Sequence, residues 1–173
     1  MKAQQRKLMI LRHAKSSWNE PDLDDYERPL SKRGRRDAPL MGEWMRKHGW
    51  IPDYIVSSPA RRTKETTLMV CDALAVEADR VVWDEHIYGA ELPALLEALG
   101  KIPESAERAL LVGHNPGLEE LIAYLVTEES RAALAFGFMK TATLAVLQIR
   151  DPWRRLRAHH AKLERLKRPK ELL

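Results

Sequence analysis

The stretch LMILRHAKSSW, from Leu8 to Trp18, decides the fold and supplies the first candidate site. Its apolar half predicts a buried strand over Lys7–Leu11. Arg12 and His13 follow directly, so this strand delivers a cation and an imidazole to its carboxyl end. A strand that ends in this way indicates a site for an anionic ligand, provided that other strands bring matching residues to the same edge.

Further apolar runs alternate with helical patterns, which predicts an α/β fold of three layers with a mostly parallel central sheet. We expect one domain over residues 1–173. The predicted strands after the first are Tyr54–Ser58, Arg80–Trp83, Ala109–Gly113 and Thr143–Ile149. The predicted helices run from the N-cap Ser31 to Lys47, and over Arg61–Leu74, Leu92–Leu99 and Leu118–Val126. Pro39 interrupts the first of them, which predicts a kink or a restart capped by Asp37.

Composition and charge restrict the class of protein. Apolar residues make up 45% of the chain and charged residues 31%, as in ordinary globular domains. No apolar run approaches the ~18 residues of a membrane helix, and the start lacks a secretory pattern, so we expect a cytoplasmic protein without a membrane partner. The single Cys71 lies in an apolar run, where a buried thiol is expected.

The positive charge is concentrated at the end of the chain. Residues 150–173 carry nine Arg or Lys against three Asp or Glu. Such a basic tail is typical of nucleic-acid binding, of an anionic partner, or only of a solvated terminus. With Trp153 as its one aromatic residue, the tail gives little support for nucleic acid.

Three of the predicted strands end in residues suited to phosphate. In an open α/β sheet, ligands bind at the carboxyl ends of the strands. The second strand leads into SSPARRTKET, with Arg61 and Arg62 at the start of a helix, and the fourth leads into GHNPG, with His114. Two histidines and at least two arginines at one edge indicate a site for phosphoryl chemistry.

The residue types explain the chemistry. A neutral imidazole is a competent nucleophile near pH 7 and forms a phosphoramidate, while arginines hold the phosphoryl oxygens. Dense cations make a metal unnecessary, so no metal and no other cofactor is expected. Zinc is a weaker alternative because His159 and His160 form the only close histidine pair, and no P-loop motif occurs. Each residue alone also fits a structural role.

The order of four motifs resembles the histidine phosphatase superfamily, with its phosphoglycerate-mutase-like fold, and within it the SixA-type phosphohistidine phosphatases. The motifs are LRHAKSSW, ERPLSKRGRRDA, SSPARRTKET and GHNPGL, followed by RPKEL near the end. The resemblance implies that His13 is the nucleophile, that Arg12 and Arg62 bind phosphate with Arg61 peripheral, and that His114 is the second pocket histidine. It also implies a strand near Lys162–Lys167, where the spacing of apolar residues alone fits a helix about as well.

Other positions match the mutase branch of the family less closely. Ser16 and Asn19 fall where that branch has polar substrate-binding residues. Glu85, in DEHIYGA, falls in register with its proton-donating glutamate, so the resemblance implies a general acid there, an ordinary surface carboxylate being the alternative. Ala14 and Lys15 depart from the mutase pattern and agree with the SixA-like group.

The spacing between motifs bears on the substrate. Only 22 residues separate Arg62 from Glu85, and 28 separate Glu85 from His114, which leaves little chain for a lid. An open site favours hydrolysis of a bulky phosphorylated partner, so a phosphatase acting on protein phosphohistidine is our first hypothesis. A phosphatase for a small metabolite, such as a sugar phosphate or nucleotide, is the alternative, and a non-catalytic phosphate-binding module is the third. Nucleic acid is not expected as a partner.

Overall fold

Six strands form one sheet in the computed structural model, which describes residues 5–173. Their order across the sheet is β3-β2-β4-β1-β5-β6. β1 to β4 run parallel, β5 is antiparallel to β1, and β6 is antiparallel to β5. The strands are β1 (Arg6–Arg12), β2 (Tyr54–Ser57), β3 (Val81–Trp83), β4 (Arg108–Gly113), β5 (Leu144–Ile149) and β6 (Lys162–Lys167).

Helices connect the parallel strands, as the alternating pattern predicts. Short 3-10 turns lie at Asp25–Glu27, Ala78–Arg80, Glu85–Ile87, Trp153–Arg155 and Pro169–Leu172. The α-helices are α1 (Lys32–Lys47), α2 (Arg61–Leu74), α3 (Leu92–Gly100), α4 (Gly117–Leu125) and α5 (Glu128–Ala132). The first four coincide closely with the predicted helices, and the bounds of α2 are those predicted. The five-residue α5 is not predicted, because it is too short to show a hydrophobic period.

The sheet is buried on both faces, which makes it the middle of three layers. Leu8 and Ile10 pack with α3 and α4 on one face, and Met9 and Leu11 pack with α1 and α2 on the other. All four are 0% exposed. Their near-continuous apolar run therefore reflects burial on two sides, as is typical of parallel sheets. The predicted three-layer α/β fold is confirmed.

The first helix corrects one prediction. Ser31 caps α1 as expected, since its Oγ accepts a hydrogen bond from Gly34 N at 3.2 Å. However, α1 continues through Pro39 without a restart, and Asp37 caps nothing: it is 2% exposed and pairs with Arg36 at 2.8 Å. Packing of the small and apolar face of α1 against α2 offsets the hydrogen bond that the proline cannot donate.

The end of the chain forms a strand. β6 pairs with β5 from Lys162 to Lys167, so the strand implied by the family resemblance is confirmed over the helical alternative.

Cys71 is 1% exposed, as predicted, and burial raises the pKa of its thiol to about 11. Within residues 5–173, none of the helices combines the length and the apolar character that crossing a membrane requires.

Candidate active site

His13 is the first residue after β1 and is held in one tautomer. Its backbone N–H donates to the Gly113 carbonyl of β4 at 3.1 Å, and its side chain is buried. Nδ1 lies 2.8 Å from the Ala14 carbonyl oxygen. Because a carbonyl can only accept, Nδ1 carries the proton and Nε2 presents its lone pair. An imidazole in this state is a nucleophile at Nε2.

The backbone after His13 is fixed by the start of α1 and by α2. The Lys15 carbonyl accepts from Ser31 N at 2.8 Å and from Ser31 Oγ at 3.0 Å. Ala14 N donates to Thr66 Oγ1 at 3.0 Å. A Cβ on Gly34 would stand 2.2 Å from the Lys15 oxygen, so only glycine lets α1 approach this closely. The motif ERPLSKRGRRDA therefore holds the loop that carries His13.

His114 faces His13 from the end of the neighbouring strand β4. The two imidazole centroids lie 5.3 Å apart. His114 Nε2 is 2.8 Å from Ser58 Oγ and 3.3 Å from Thr63 Oγ1, while its buried Nδ1 has no hydrogen-bond partner within residues 5–173. If the hydroxyls donate to Nε2, the proton of His114 resides on Nδ1, which makes that nitrogen a donor with unused capacity.

Arg62 and Arg61 lie side by side on α2 but occupy different environments. Arg62 is 7% exposed and donates from Nη1 to the Asp25 carbonyl at 2.6 Å and from Nη2 to the Asp25 carboxylate at 2.9 Å. Arg61 is exposed and its Nε donates to Glu65 at 3.1 Å, one helical turn along. The structure thus places Arg62 in the site and Arg61 on the surface of the helix.

Arg12 is the last residue of β1, directly before His13. Its Nη1 donates to the Met139 carbonyl at 2.9 Å, and its buried Nε has no hydrogen-bond partner within the described residues. Asn115 holds the same carbonyl through Nδ2 at 2.9 Å, and its Nδ2 also donates to Glu119 at 3.1 Å. We call Arg12, His13, Arg62 and His114 the arginine–histidine cluster.

Burial and charge keep both histidines of the cluster neutral. Burial above all, then the charges of His114 and of the two arginines, lower the pKa of His13 to about 3, against the opposing hydrogen bond to Ala14. Burial, and next the charge of Arg62, lower the pKa of His114 to about 4. At neutral pH the cluster therefore combines two permanent cations with two neutral imidazoles, which suits an incoming phosphoryl group.

Asp25 is a residue of the site that the sequence does not indicate. Its carboxylate accepts from Arg62, from Tyr88 Oη at 2.7 Å and from Arg28 Nη1 at 3.0 Å. Although desolvation raises the pKa of Asp25, the hydrogen bonds from Tyr88 and Arg62 outweigh it and lower the value to about 2. Among the acidic residues of DLDDYE, no spacing or motif singles out this one. Buried Arg28, and Tyr88, whose ring lies 5.4 Å from that of His114 between centroids, fall inside quoted motifs, but the sequence gives neither of them a role in the site.

The remaining predicted positions lie outside the cluster. Glu85 is exposed at the start of a 3-10 turn and accepts from Tyr26 Oη at 3.2 Å. Ser16 is buried and accepts from Arg28 Nη2. Asn19 is exposed, and its backbone N donates to Ser17 Oγ at 3.1 Å. Their proposed roles in acid catalysis and substrate binding stay predictions.

One cavity of the described structure is lined in part by a member of the cluster, His114. A cavity of about 500 Å³ opens beside His114, between residues 89–93 and the turn His114–Pro116. No group of three His, Cys, Asp or Glu side chains in the part of the chain that the structure describes is arranged to hold a metal ion.

Comparison with known proteins shows which family the chain resembles in sequence and structure. The family model for the histidine phosphatase superfamily (branch 1) matches residues 8–85. An uncharacterised protein of Mycobacterium tuberculosis is 32% identical over 149 residues, which cover 83% of this chain and 89% of that protein. The SixA protein of Nakamurella multipartitia is 28% identical, with a TM-score of 0.80 over 95% of this chain and 96% of that one. Phosphoserine phosphatase 1 of Hydrogenobacter thermophilus is 33% identical over 115 residues, which cover 59% of this chain and 49% of that protein.

The chain belongs to the histidine phosphatase superfamily, and it is of the SixA type. That membership supports phosphatase activity.

Proposed function

We propose that residues 1–173 form one histidine phosphatase domain that hydrolyses protein phosphohistidine through a covalent intermediate on His13. The observation that carries the proposal is the tautomer of His13, with Nε2 free, beside Arg12, Arg62 and His114. A binding module needs cations for phosphate but has no use for a buried imidazole with an unprotonated nitrogen.

The first step transfers the phosphoryl group to the protein. His13 Nε2 attacks phosphorus, a P–N bond forms, and the P–N bond to the substrate imidazole breaks. Solvent has already protonated that imidazole on its other ring nitrogen, so it leaves in its neutral form. The Ala14 carbonyl accepts from Nδ1–H and stabilises the positive charge that develops on the ring. Arg12, Arg62 and the Nδ1–H of His114 stabilise the phosphoryl oxygens.

The second step releases phosphate. Water attacks the phosphorylated His13, a P–O bond forms, the P–N bond breaks, and His13 returns to its neutral state as the water proton passes to phosphate or solvent. The arginines supply the positive charge that metal ions supply in other phosphoryl-transfer enzymes. We therefore expect turnover to survive a chelator.

The short segments between the site motifs support a protein substrate. Between Arg62 and Glu85 the chain forms α2, a 3-10 turn and β3, and between Glu85 and His114 it forms α3 and β4. No lid is inserted in these two segments. The SixA relative points to the same substrate class, whereas the phosphoserine phosphatase relative favours a small phosphomonoester as the second candidate.

Two measurements test the proposal. The kcat/KM for a phosphohistidine protein is compared with that for a panel of metabolites that includes phosphoserine and sugar phosphates; a higher value for any metabolite favours the second candidate. Brief incubation with a ³²P-labelled phosphohistidine protein should leave acid-labile, alkali-stable label on the enzyme, and His13→Ala should abolish it. Acid-resistant label, or label that persists in His13→Ala, overturns the covalent step.

A further inference from the structure

A second cationic feature lies on the β6 side of the site. It is a cavity of about 380 Å³ that we call the basic groove. Five of its lining side chains are basic and one is acidic, and none is aromatic. The lining residues are Arg33, Arg36, Asp37, Lys140, Thr141, Arg168, Pro169 and Lys170.

The basic groove opens at the same edge of the sheet as His13. β6 runs parallel to β1, since both are antiparallel to β5, so the segment after Lys167 emerges where β1 ends. Residues 139–143 precede β5 at that edge, and Ala142 N donates to the His13 carbonyl at 3.0 Å. The opposite wall is the start of α1, where Ser31 holds the Lys15 carbonyl. Both walls of the groove therefore contact the backbone that carries the nucleophile.

Acidic partners neutralise only part of the positive charge that lines the groove. Asp37 is neutralised by Arg36 at 2.8 Å and lies 3.6 Å from Arg33. Within residues 5–173, Lys140, Arg168 and Lys170 form no ion pair. A neighbouring tail residue, Lys167, differs, because it pairs with Glu171 at 3.4 Å and lies over the Trp44 ring. Three of the five basic side chains that line the groove thus have no acidic partner among the described residues.

We propose that the basic groove binds an acidic segment of the phosphorylated protein substrate, which places the phosphohistidine at His13. This inference rests on the proposed function. Carboxylates are complementary to exposed lysine and arginine, whereas single-stranded nucleic acid also needs aromatic platforms that the groove lacks. Attraction at the rim of a site raises the encounter rate and weakens with salt, since the Debye length is ~8 Å at physiological ionic strength.

A binding experiment tests the groove without relying on catalysis. A fluorescein-labelled glutamate-rich decapeptide is titrated against the full chain and anisotropy is recorded. The triple variant Lys140→Gln, Arg168→Gln, Lys170→Gln should weaken binding about tenfold. The control variant Lys101→Gln, Arg154→Gln, Lys162→Gln removes the same charge at the opposite edge of the sheet and should bind as the wild type does. Equal affinity of the two variants overturns the proposal, as does tighter binding of an oligonucleotide that displaces the peptide.

A kinetic experiment separates this proposal from the proposed function. On a phosphohistidine protein with an acidic surface, the groove variant should lower kcat/KM about tenfold at low salt, through KM, and the loss should shrink at high salt. Phosphoramidate, a small substrate, should be hydrolysed at the wild-type rate by both variants. If the wild type binds the peptide through the groove but hydrolyses no phosphohistidine protein, the proposed function fails and the groove is an acidic-peptide site without that substrate. If phosphohistidine turnover is normal and insensitive to the groove variant, the groove proposal fails alone.

Discussion

The site has two walls that are built in different ways. The buried wall consists of strand exits and the first turn of α2, and it carries His13, Ser58, Arg62 and His114. The loop wall consists of residues 16–28 and 84–90, and it presents Asp25, Tyr26, Glu85 and Tyr88. The buried wall is fixed by backbone and hydroxyl hydrogen bonds inside the fold. The loop wall is held together by side chains, among them a Tyr26–Tyr88 edge contact with centroids 5.0 Å apart.

The difference indicates which wall contributes more to catalysis. Desolvation strengthens electrostatic interactions and fixes the tautomers on the buried wall, which is where bonds to phosphorus would form. On the exposed loop wall, water competes with every hydrogen bond, so each contact contributes less. The two walls meet where Asp25 holds Arg62. We therefore expect the largest effects on the buried wall and progressively smaller ones across this junction.

After removal of the nucleophile His13, the largest effect is expected at Arg62. Arg62→Ala should lower kcat/KM by about 10²- to 10³-fold on protein and small substrates alike, because it removes a buried donor to the phosphoryl oxygens. Arg61→Ala is the matched control on the same helix. It removes an exposed ion pair with Glu65 and should change kcat/KM less than about twofold. A large loss in Arg61→Ala combined with a small one in Arg62→Ala would reverse the assignment of the two arginines.

The next largest effect is expected on the free energy of unfolding, not on the rate of the reaction. Unfolded histidine takes up a proton below about pH 6.5, while burial lowers the pKa of folded His13 to about 3. Between these values the unfolded state binds more protons, so stability falls as pH falls from about 6.5 towards about 3. Urea unfolding at pH 7.5 and pH 5.0 should show a loss of about 2 kcal/mol from this residue.

His13→Gln should remove that part of the pH dependence. The exposed His86→Gln is the control and should keep the wild-type slope. If His13→Gln and the wild type lose the same stability between the two pH values, the imidazole is not held neutral by the buried wall.

At the junction, Asp25 acts as a positioning residue for Arg62. Asp25→Ala should lower kcat/KM about tenfold, mainly through KM, because Arg62 loses its carboxylate acceptor. Asp25→Asn keeps an acceptor oxygen and should recover part of the loss. Asp24→Asn, at the neighbouring position whose side chain caps nothing, should be neutral. A gain in activity in Asp25→Ala would show instead that the carboxylate competes with phosphate for Arg62.

The sequence predicts the buried wall far better than the loop wall. Each parallel strand is an apolar run that ends abruptly, so residues such as His13 and His114 can be placed at one edge before the fold is known. Asp25 reaches Arg62 across 37 positions of sequence through a loop without periodicity. Local patterns carry no information about such a contact.

Tertiary packing explains the other differences between expectation and structure. The helix penalty of Pro39 predicts a kink or a restart; α1 does not restart, because burial of Ala38, Met41 and Met45 against α2 keeps the helix continuous. The ambiguous tail becomes a strand because β5 offers an edge to pair with, which the spacing of Leu163 and Leu166 alone cannot show.

The smallest effect is expected at Glu85, an exposed candidate on the loop wall. A general acid contributes about 10²- to 10⁴-fold when the leaving group needs its proton in the transition state. The imidazole of phosphohistidine can be protonated by solvent before it leaves, whereas an alkoxide cannot. Glu85→Gln should therefore change kcat/KM for a phosphohistidine protein less than about threefold, and should cost more on an alkyl phosphate. Tyr26→Phe removes the hydroxyl that contacts Glu85 and should follow the same pattern more weakly. A loss above about 100-fold on the phosphohistidine protein would make Glu85 its acid, and the loop wall would then take part in bond breaking as directly as the buried wall.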